Sequence, residues 1–191
     1  MEEQTKKNIC KNEVTVPKLY GLPKIHMVNI SLRPIVSAIA SPTYDLAKYL
    51  SSILQPHIGL TDFYIKDSTH FILKIKDLVL EENDLLVSFD VVSLFTKVPV
   101  TDAMERILEI SSEDNSNWFR HCLTTTYFSC DNKMYEQIEG EAMGSPLSPV
   151  IANFFVEKFE QALDSAEYKP KIWFRYMDNK FVIRSHEQKK L

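Results

Sequence analysis

Hydrophobic positions along the 191-residue chain change spacing several times, and each spacing predicts an element. Residues 1–18 are polar and form a loosely held N-terminal segment. Leu19 to His26 and Leu32 to Ser37 are short apolar pieces broken by Gly and Pro, which favours extended segments over helices. Ser41-Pro42 predicts a helix start, with Ser as N-cap and Pro at the first helical position. Leu46, Leu50, Ile53 and Leu54 supply its apolar stripe, and Pro56 ends it. Ile72, Ile75 and Val79 predict a helix from Thr69 to Leu80, and Met104, Ile107 and Leu108 another from Thr101 to Ile110. Trp118 to Thr124 also reads as helical. The strongest helical period runs from Ser148-Pro149 to Asp164, through Ile151, Phe155, Phe159 and Leu163. Three β-type stretches remain. Leu85 to Asp90 is a strand ending on an acid. Tyr127-Phe128 and Met134-Tyr135 form a hairpin around Asp131-Asn132. Ile172 to Tyr176 and Lys180 to Ile183 form a second hairpin, with Met177-Asp178-Asn179 at its tip. Helices mixed with hairpins predict an α+β fold with an antiparallel sheet.

Composition narrows the class. Hydrophobic residues make up 45% and charged residues 25%, a globular balance, and 4 Gly with 9 Pro exclude collagen-like and linker-like chains. No apolar run approaches the ~18 residues of a membrane span, and the polar start is not a signal peptide. Cys10, Cys122 and Cys130 contain no Cys-x-x-Cys, which indicates neither a disulfide framework nor a zinc ribbon and makes an intracellular setting the default. Net charge is −4, yet its distribution is uneven: residues 1–33 carry +3, residues 165–191 carry +4 and residues 34–164 carry −11. Basic ends around an acidic centre suit a carboxylate site flanked by phosphate-binding surface, and equally suit ordinary surface variation.

Two acids draw attention first. Asp90 follows an apolar strand, and alternation puts it with Leu86 and Ser88 on the face opposite Leu85, Val87 and Phe89. Asp178 sits at a hairpin tip. Each has an ordinary reading, Asp90 as a turn cap and Asp178 as a favoured turn residue. Brought together, they could hold a pair of Mg²⁺ ions and support phosphoryl transfer.

The order of motifs adds a resemblance. Ser88 to Pro99 resembles motif A of reverse transcriptases, Ala142 to Pro149 motif B, and Phe174 to Asn179 the Tyr-x-Asp-Asp hairpin of motif C. Tyr20 to His26 followed by Leu32 to Ser37 is similar to fingers segments of the Penelope-like retroelements, relatives of telomerase reverse transcriptase. The match runs in order from about residue 19 to 184. It implies fingers and palm, with an antiparallel palm sheet packed on helices: fingers-like segments over 19–82 and a palm-like core over 83–191. It implies RNA-directed DNA polymerisation with an RNA template, a DNA primer, deoxynucleoside triphosphates and two Mg²⁺ or Mn²⁺ ions. Asp90, Asp178 and the Val91 carbonyl fall on metal-ligand positions. Phe95 falls on the steric-gate position that rejects a ribose 2′-hydroxyl, with a core Phe as the ordinary reading. Arg33 and Lys24 fall where relatives meet the triphosphate, and each reads otherwise as a surface residue. Gly144 and Ser145 would lie beside nucleotide and template, or simply turn the chain into a helix. Tyr176 and Met177 would face primer and template.

Three departures qualify the resemblance. Asn179 stands where the family has its second hairpin aspartate, leaving two carboxylate charges where three are usual. Met27 stands where relatives usually carry lysine. The sequence stops soon after motif C, so a truncation before the thumb and the family's GIY-YIG-type endonuclease is expected. Impaired activity follows, and the alternative is a catalytically dead retroelement remnant that acts at most as an RNA- or protein-binding fold. Open palm edges could also leave the isolated chain unstable. The family's genome-integrating role implies a nuclear address, although no basic import signal is visible.

Overall fold

The computed structural model describes residue 9 and residues 13–25, 30–92, 94–163 and 166–185. His26, Met27, Ser93 and Asp164, which carry parts of the sequence reading, lie outside the described residues. In chain order the elements are β1 (Lys18–Pro23), β2 (Leu32–Ser37), α1 (Tyr44–Leu54), α2 (Ser68–Ile75), β3 (Leu85–Asp90), α3 (Leu94–Lys97), α4 (Val100–Ile110), α5 (Glu113–Thr124), β4 (Tyr127–Cys130), β5 (Lys133–Glu136), α6 (Ser148–Leu163), β6 (Ile172–Tyr176) and β7 (Asn179–Arg184). This is the α+β mixture expected. The chain folds into two units, each built from two stretches: Met1–Pro56 with Phe95–Ala152, and His57–Leu94 with Asn153–Leu191.

The first unit holds a four-stranded sheet in the order β2-β1-β4-β5. β1 and β2 pair antiparallel from Lys18↔Ser37 to Pro23↔Leu32, and β4 joins β1 in parallel at Lys18↔Ser129. Asp131 and Asn132 both adopt positive φ, 48° and 60°, which gives the β4–β5 hairpin a two-residue turn matched to strand twist. Leu46, Leu50 and Leu54 on α1, Ala103 and Ile107 on α4, and Phe119 and Leu123 on α5 are among its buried helical residues.

The second unit holds a three-stranded antiparallel sheet in the order β3-β7-β6. Helices pack on both faces. Phe71 of α2 meets Phe174 and Phe181 edge-on, with ring centroids at 6.4 and 5.2 Å. On the other face, α6 residues from Asn153 onward meet Trp173 and Arg175.

Several boundaries differ from expectation. α1 begins at Tyr44, because Ser41 and Pro42 are spent in a turn closed by Ser41 N–H to Ala38 O and Tyr44 N–H to Ser41 O. α2 ends at Ile75, five residues early, and Val79 is exposed. Its real start signal is Asp67, whose carboxylate accepts from His70 N–H at 2.8 Å. α5 starts at Glu113, earlier than Trp118. On α6 the buried residues include Ile151, Phe154, Val156, Glu157 and Glu160, while Phe159 is half exposed against Trp173. A buried carboxylate was not anticipated in an apolar stripe.

Candidate functional site

Register brings the backbone of Asp90 beside the hairpin tip that carries Asp178. β3 and β7 pair from Leu85↔Arg184 to Asp90↔Asn179, and β6 closes the row with Tyr176↔Asn179. Directly opposed residues share a sheet face, so Asp90, Asn179 and Tyr176 form one row at the sheet end. Val91 N–H donates to Asp178 O at 3.2 Å, locking the end of β3 onto the hairpin tip. Met177 turns that tip with φ 54°, a left-handed conformation uncommon outside Gly and Asn. Asp90 and Asn179 are exposed and Asp178 is half-buried. Asn179 Nδ2 donates to Asp178 Oδ1 at 3.3 Å, so the amide spends its donor on the neighbouring acid.

Lys180 completes this end of the sheet, and sequence reasoning passed it over as one more strand residue. Its side chain lies on the α6 face, 4% exposed, and its Nζ donates to Asp178 O at 2.8 Å. Burial and the like charge of Arg175 push its ammonium below the ordinary lysine range, while Glu160, Asp178 and Asp90 hold it up. The available signal was the alternation Lys180, Val182, Arg184, which places all three on one buried face.

Beneath lies a fixed ion network. Arg175 is fully buried; its Nε donates to Glu160 Oε1 at 2.7 Å, Nη1 to Asn153 Oδ1 at 2.6 Å and Nη2 to Glu157 Oε1 at 3.3 Å. Trp173 Nε1 reaches Glu160 at 3.3 Å, and Gly59 N–H donates to Glu157 at 2.8 Å. Burial raises the Glu157 carboxyl above its usual range, against the pull of Gly59 and Arg175. These contacts orient α6 under the hairpin that carries Asp178. On the α2 face, a cavity of about 440 Å³ is lined by Phe71, Phe174, Tyr176, Asn179 and Phe181.

The remaining sequence candidates sit in the other unit. Arg33 on β2 is exposed opposite Leu22, and Lys24 is half-buried with its N–H on Ser31 O. Phe95 is half-buried in α3, and its carbonyl accepts from Glu141 N–H at 2.7 Å. Gly144 is needed for packing within the fold itself: a Cβ there would stand 2.1 Å from Val36 O. Ser145 shapes the turn into α6, its Oγ accepting from Leu147 N–H at 3.3 Å. The same segment holds a residue the sequence reading missed. Glu141 is 4% exposed; burial pushes its carboxyl up to about 7, although Ser148 stabilises the charged form. The free thiol of Cys122 is pushed up to about 12 by burial and Glu141.

The donor set does not fit a pair of divalent cations. Two Mg²⁺ ions need many oxygen ligands and strong charge compensation. Asp90 and Asp178 offer two charges, Asn179 an uncharged oxygen, and Lys180 brings a positive charge to the same turn. Among the described residues, no three or more His, Cys, Asp or Glu converge as a metal-holding group. None of the described helices is long and apolar enough to cross a membrane.

Comparison with known proteins bears on the fold. The profile of the family described as reverse transcriptase (RNA-dependent DNA polymerase) matches residues 17–191. Among curated proteins, no sequence matches significantly. The fold is similar to telomerase from Candida albicans in complex with the TWJ fragment of telomeric RNA: TM-score 0.62, 11% identity, covering 97% of this chain and 40% of that one. It is similar also to telomerase from Candida tropicalis with the same kind of RNA fragment, at TM-score 0.61 and 12% identity over 94% of this chain and 37% of that one. A Candida tropicalis apo telomerase truncated from its C-terminal domain gives TM-score 0.57 and 10% identity, over 90% and 44%. The chain thus spans less than half the length of these telomerases.

Proposed function

The chain belongs to the reverse-transcriptase (RNA-dependent DNA polymerase) family, and from that premise we propose that it is a Penelope-like palm-and-fingers fold that binds RNA without efficient nucleotidyl transfer. The observation that carries this reading is the donor set at the sheet end: two carboxylates, with Asn179 rather than a third acid opposite Asp90. In this family's chemistry, metal ions neutralise charge that develops at the attacking and leaving oxygens. Each missing carboxylate charge removes an attraction of several kcal/mol, since unit charges ~4 Å apart interact by about 4 kcal/mol at an effective dielectric of ~20.

RNA binding has its own support. Alternation puts Lys18, Tyr20 and Leu22 on one face of β1, and the register adds Arg33 beside Leu22. Tyr20 and Leu22 are about half exposed, and Lys18 and Arg33 are exposed. Exposed aromatic rings flanked by cations suit single-stranded RNA, with bases stacking on the ring and phosphates meeting the cations.

A second reading, residual polymerase activity, is favoured by one observation: the backbone at Asp90 and Val91 pairs with Asn179 and Asp178 at one sheet end. In it, Arg33 and Lys24 bind triphosphate, Phe95 gates the sugar, Gly144 and Ser145 border nucleotide and template, and Tyr176 and Met177 face primer and template.

One experiment separates the two. Primer extension with Mg²⁺ or Mn²⁺ is run on wild type, Asp90→Ala and Asn179→Asp, beside RNA binding by fluorescence anisotropy with and without chelator. The proposal expects RNA binding that survives chelation, extension near background in wild type, and a rise of tenfold or more in Asn179→Asp. Robust wild-type extension that Asp90→Ala abolishes would favour the second reading. Absence of RNA binding would reject the first.

A further inference from the structure

Lys180 is an unexpected side chain for a strand that packs under a helix. With Val182 and Arg184 it forms the buried row of β7, at 4%, 0% and 2% exposure. Its cross-strand neighbours are Phe89 and Arg175, and the guanidinium of Arg175 already occupies Glu157, Glu160 and Asn153. The ammonium goes instead to the hairpin tip. It donates to the Asp178 carbonyl, the same oxygen that accepts the Val91 N–H, and so stands where β3 and the turn join. An ammonium is a compact cation with three donors that prefers oxygen partners. Those are also the preferences of a divalent metal.

We propose that Lys180 is a built-in cation of the Asp90–Asp178 pair, compensating its charge from within the chain and suppressing divalent-metal binding there. This deepens the reading of the site as metal-poor, and it rests on Asp90 and Asp178 being that site's acids. It does not rest on RNA binding. Asn179 and Lys180 then act in the same direction, one removing a negative charge and the other supplying a positive one. The carbonyl of Asp178 is tied to Lys180 and to Val91, which holds the hairpin tip from within the chain.

The test needs no nucleic acid. Free Mn²⁺ is followed by electron paramagnetic resonance during titration of wild type, Asp90→Asn, Lys180→Met, Lys180→Gln and Lys180→Met with Asp90→Asn. Melting temperatures are recorded with and without millimolar Mn²⁺. Lys180→Met or Lys180→Gln is expected to bind Mn²⁺ at least tenfold more tightly than wild type and to melt higher with Mn²⁺. Adding Asp90→Asn should cancel both gains. The wild type is expected to show no Mn²⁺-dependent rise in melting temperature, a measurement that decides even where the variants fold poorly. Equal Mn²⁺ affinity in wild type and folded Lys180 variants would overturn the proposal, as would a gain that persists with Asp90→Asn. So would a wild-type melting rise that Asp90→Asn removes. Loss of RNA binding would sink the functional reading and leave this inference untouched.

Discussion

Glu141 shows how one buried residue sets a pH response. Its ordinary carboxyl value is 4.5, and burial in the fold pushes it up to about 7. Between those values the folded state holds a proton that the unfolded state has released. Stability therefore falls as pH rises through that window, and the loss is complete above the folded value. The shift corresponds to on the order of 3 kcal/mol. Glu141→Gln should flatten the profile and gain stability at pH 8 relative to wild type, read from melting curves at pH 4.5, 6 and 8. An unchanged pH slope in that variant would contradict the assignment. Gly144 teaches a related lesson. Its motif suggests closeness to nucleotide and template, and its missing Cβ makes room for the Val36 carbonyl of the protein's own β2.

At the scale of elements, the buried ion network decides how α6 sits against β6. Arg175 holds Glu157 and Glu160 together, and removing one member of such a network leaves uncompensated charge in a poorly solvated place. Arg175→Met alone should cost about 3–5 kcal/mol, and Arg175→Met with Glu160→Leu should recover part of it. Urea unfolding followed by Trp173 fluorescence in a Trp118→Phe background would measure both. A double variant as unstable as the single would show that packing, not charge, dominates. Periodicity located most of these helices and both hairpins, since an apolar stripe must be buried wherever it falls. It misplaced the ends of α1, α2 and α5, because caps such as Asp67 and turns such as Ser41-Pro42 act through hydrogen bonds that spacing does not report. It also read Phe159 as core and missed Glu160, whose buried carboxylate is met by Arg175 and Trp173.

Over the whole molecule, the uneven charge has a measurable consequence. Association with single-stranded RNA releases counterions in proportion to the phosphates neutralised, with a slope of about −0.7 per contact in log K against log salt. If Lys18, Lys24 and Arg33 provide three contacts, the slope should be about −2. Arg33→Ala should reduce its size by about 0.7 while weakening binding to all sequences similarly. Anisotropy titrations over a range of salt would check this, and a slope near zero would exclude a phosphate-based interface. The acidic net charge of −4 does not forbid such contact, since the local face matters more than the sum.

The chain itself determined the family, the alternation of helices and hairpins, the strand that ends in Asp90 and the tip that carries Asp178. Those features are local: a period, a turn dipeptide or an ordered run of motifs survives being read in one dimension. Tertiary structure decided what lies next to what. The β3–β7 register brought the end of β3 at Asp90 to the tip that carries Asp178, 88 positions away. It set Asn179 across from Asp90, and the turn geometry brought the Lys180 ammonium to the Asp178 carbonyl. Burial then gave Glu141 and Lys180 their altered electrostatics, because the cost of a charge depends on the solvent it has lost and the partner it has found.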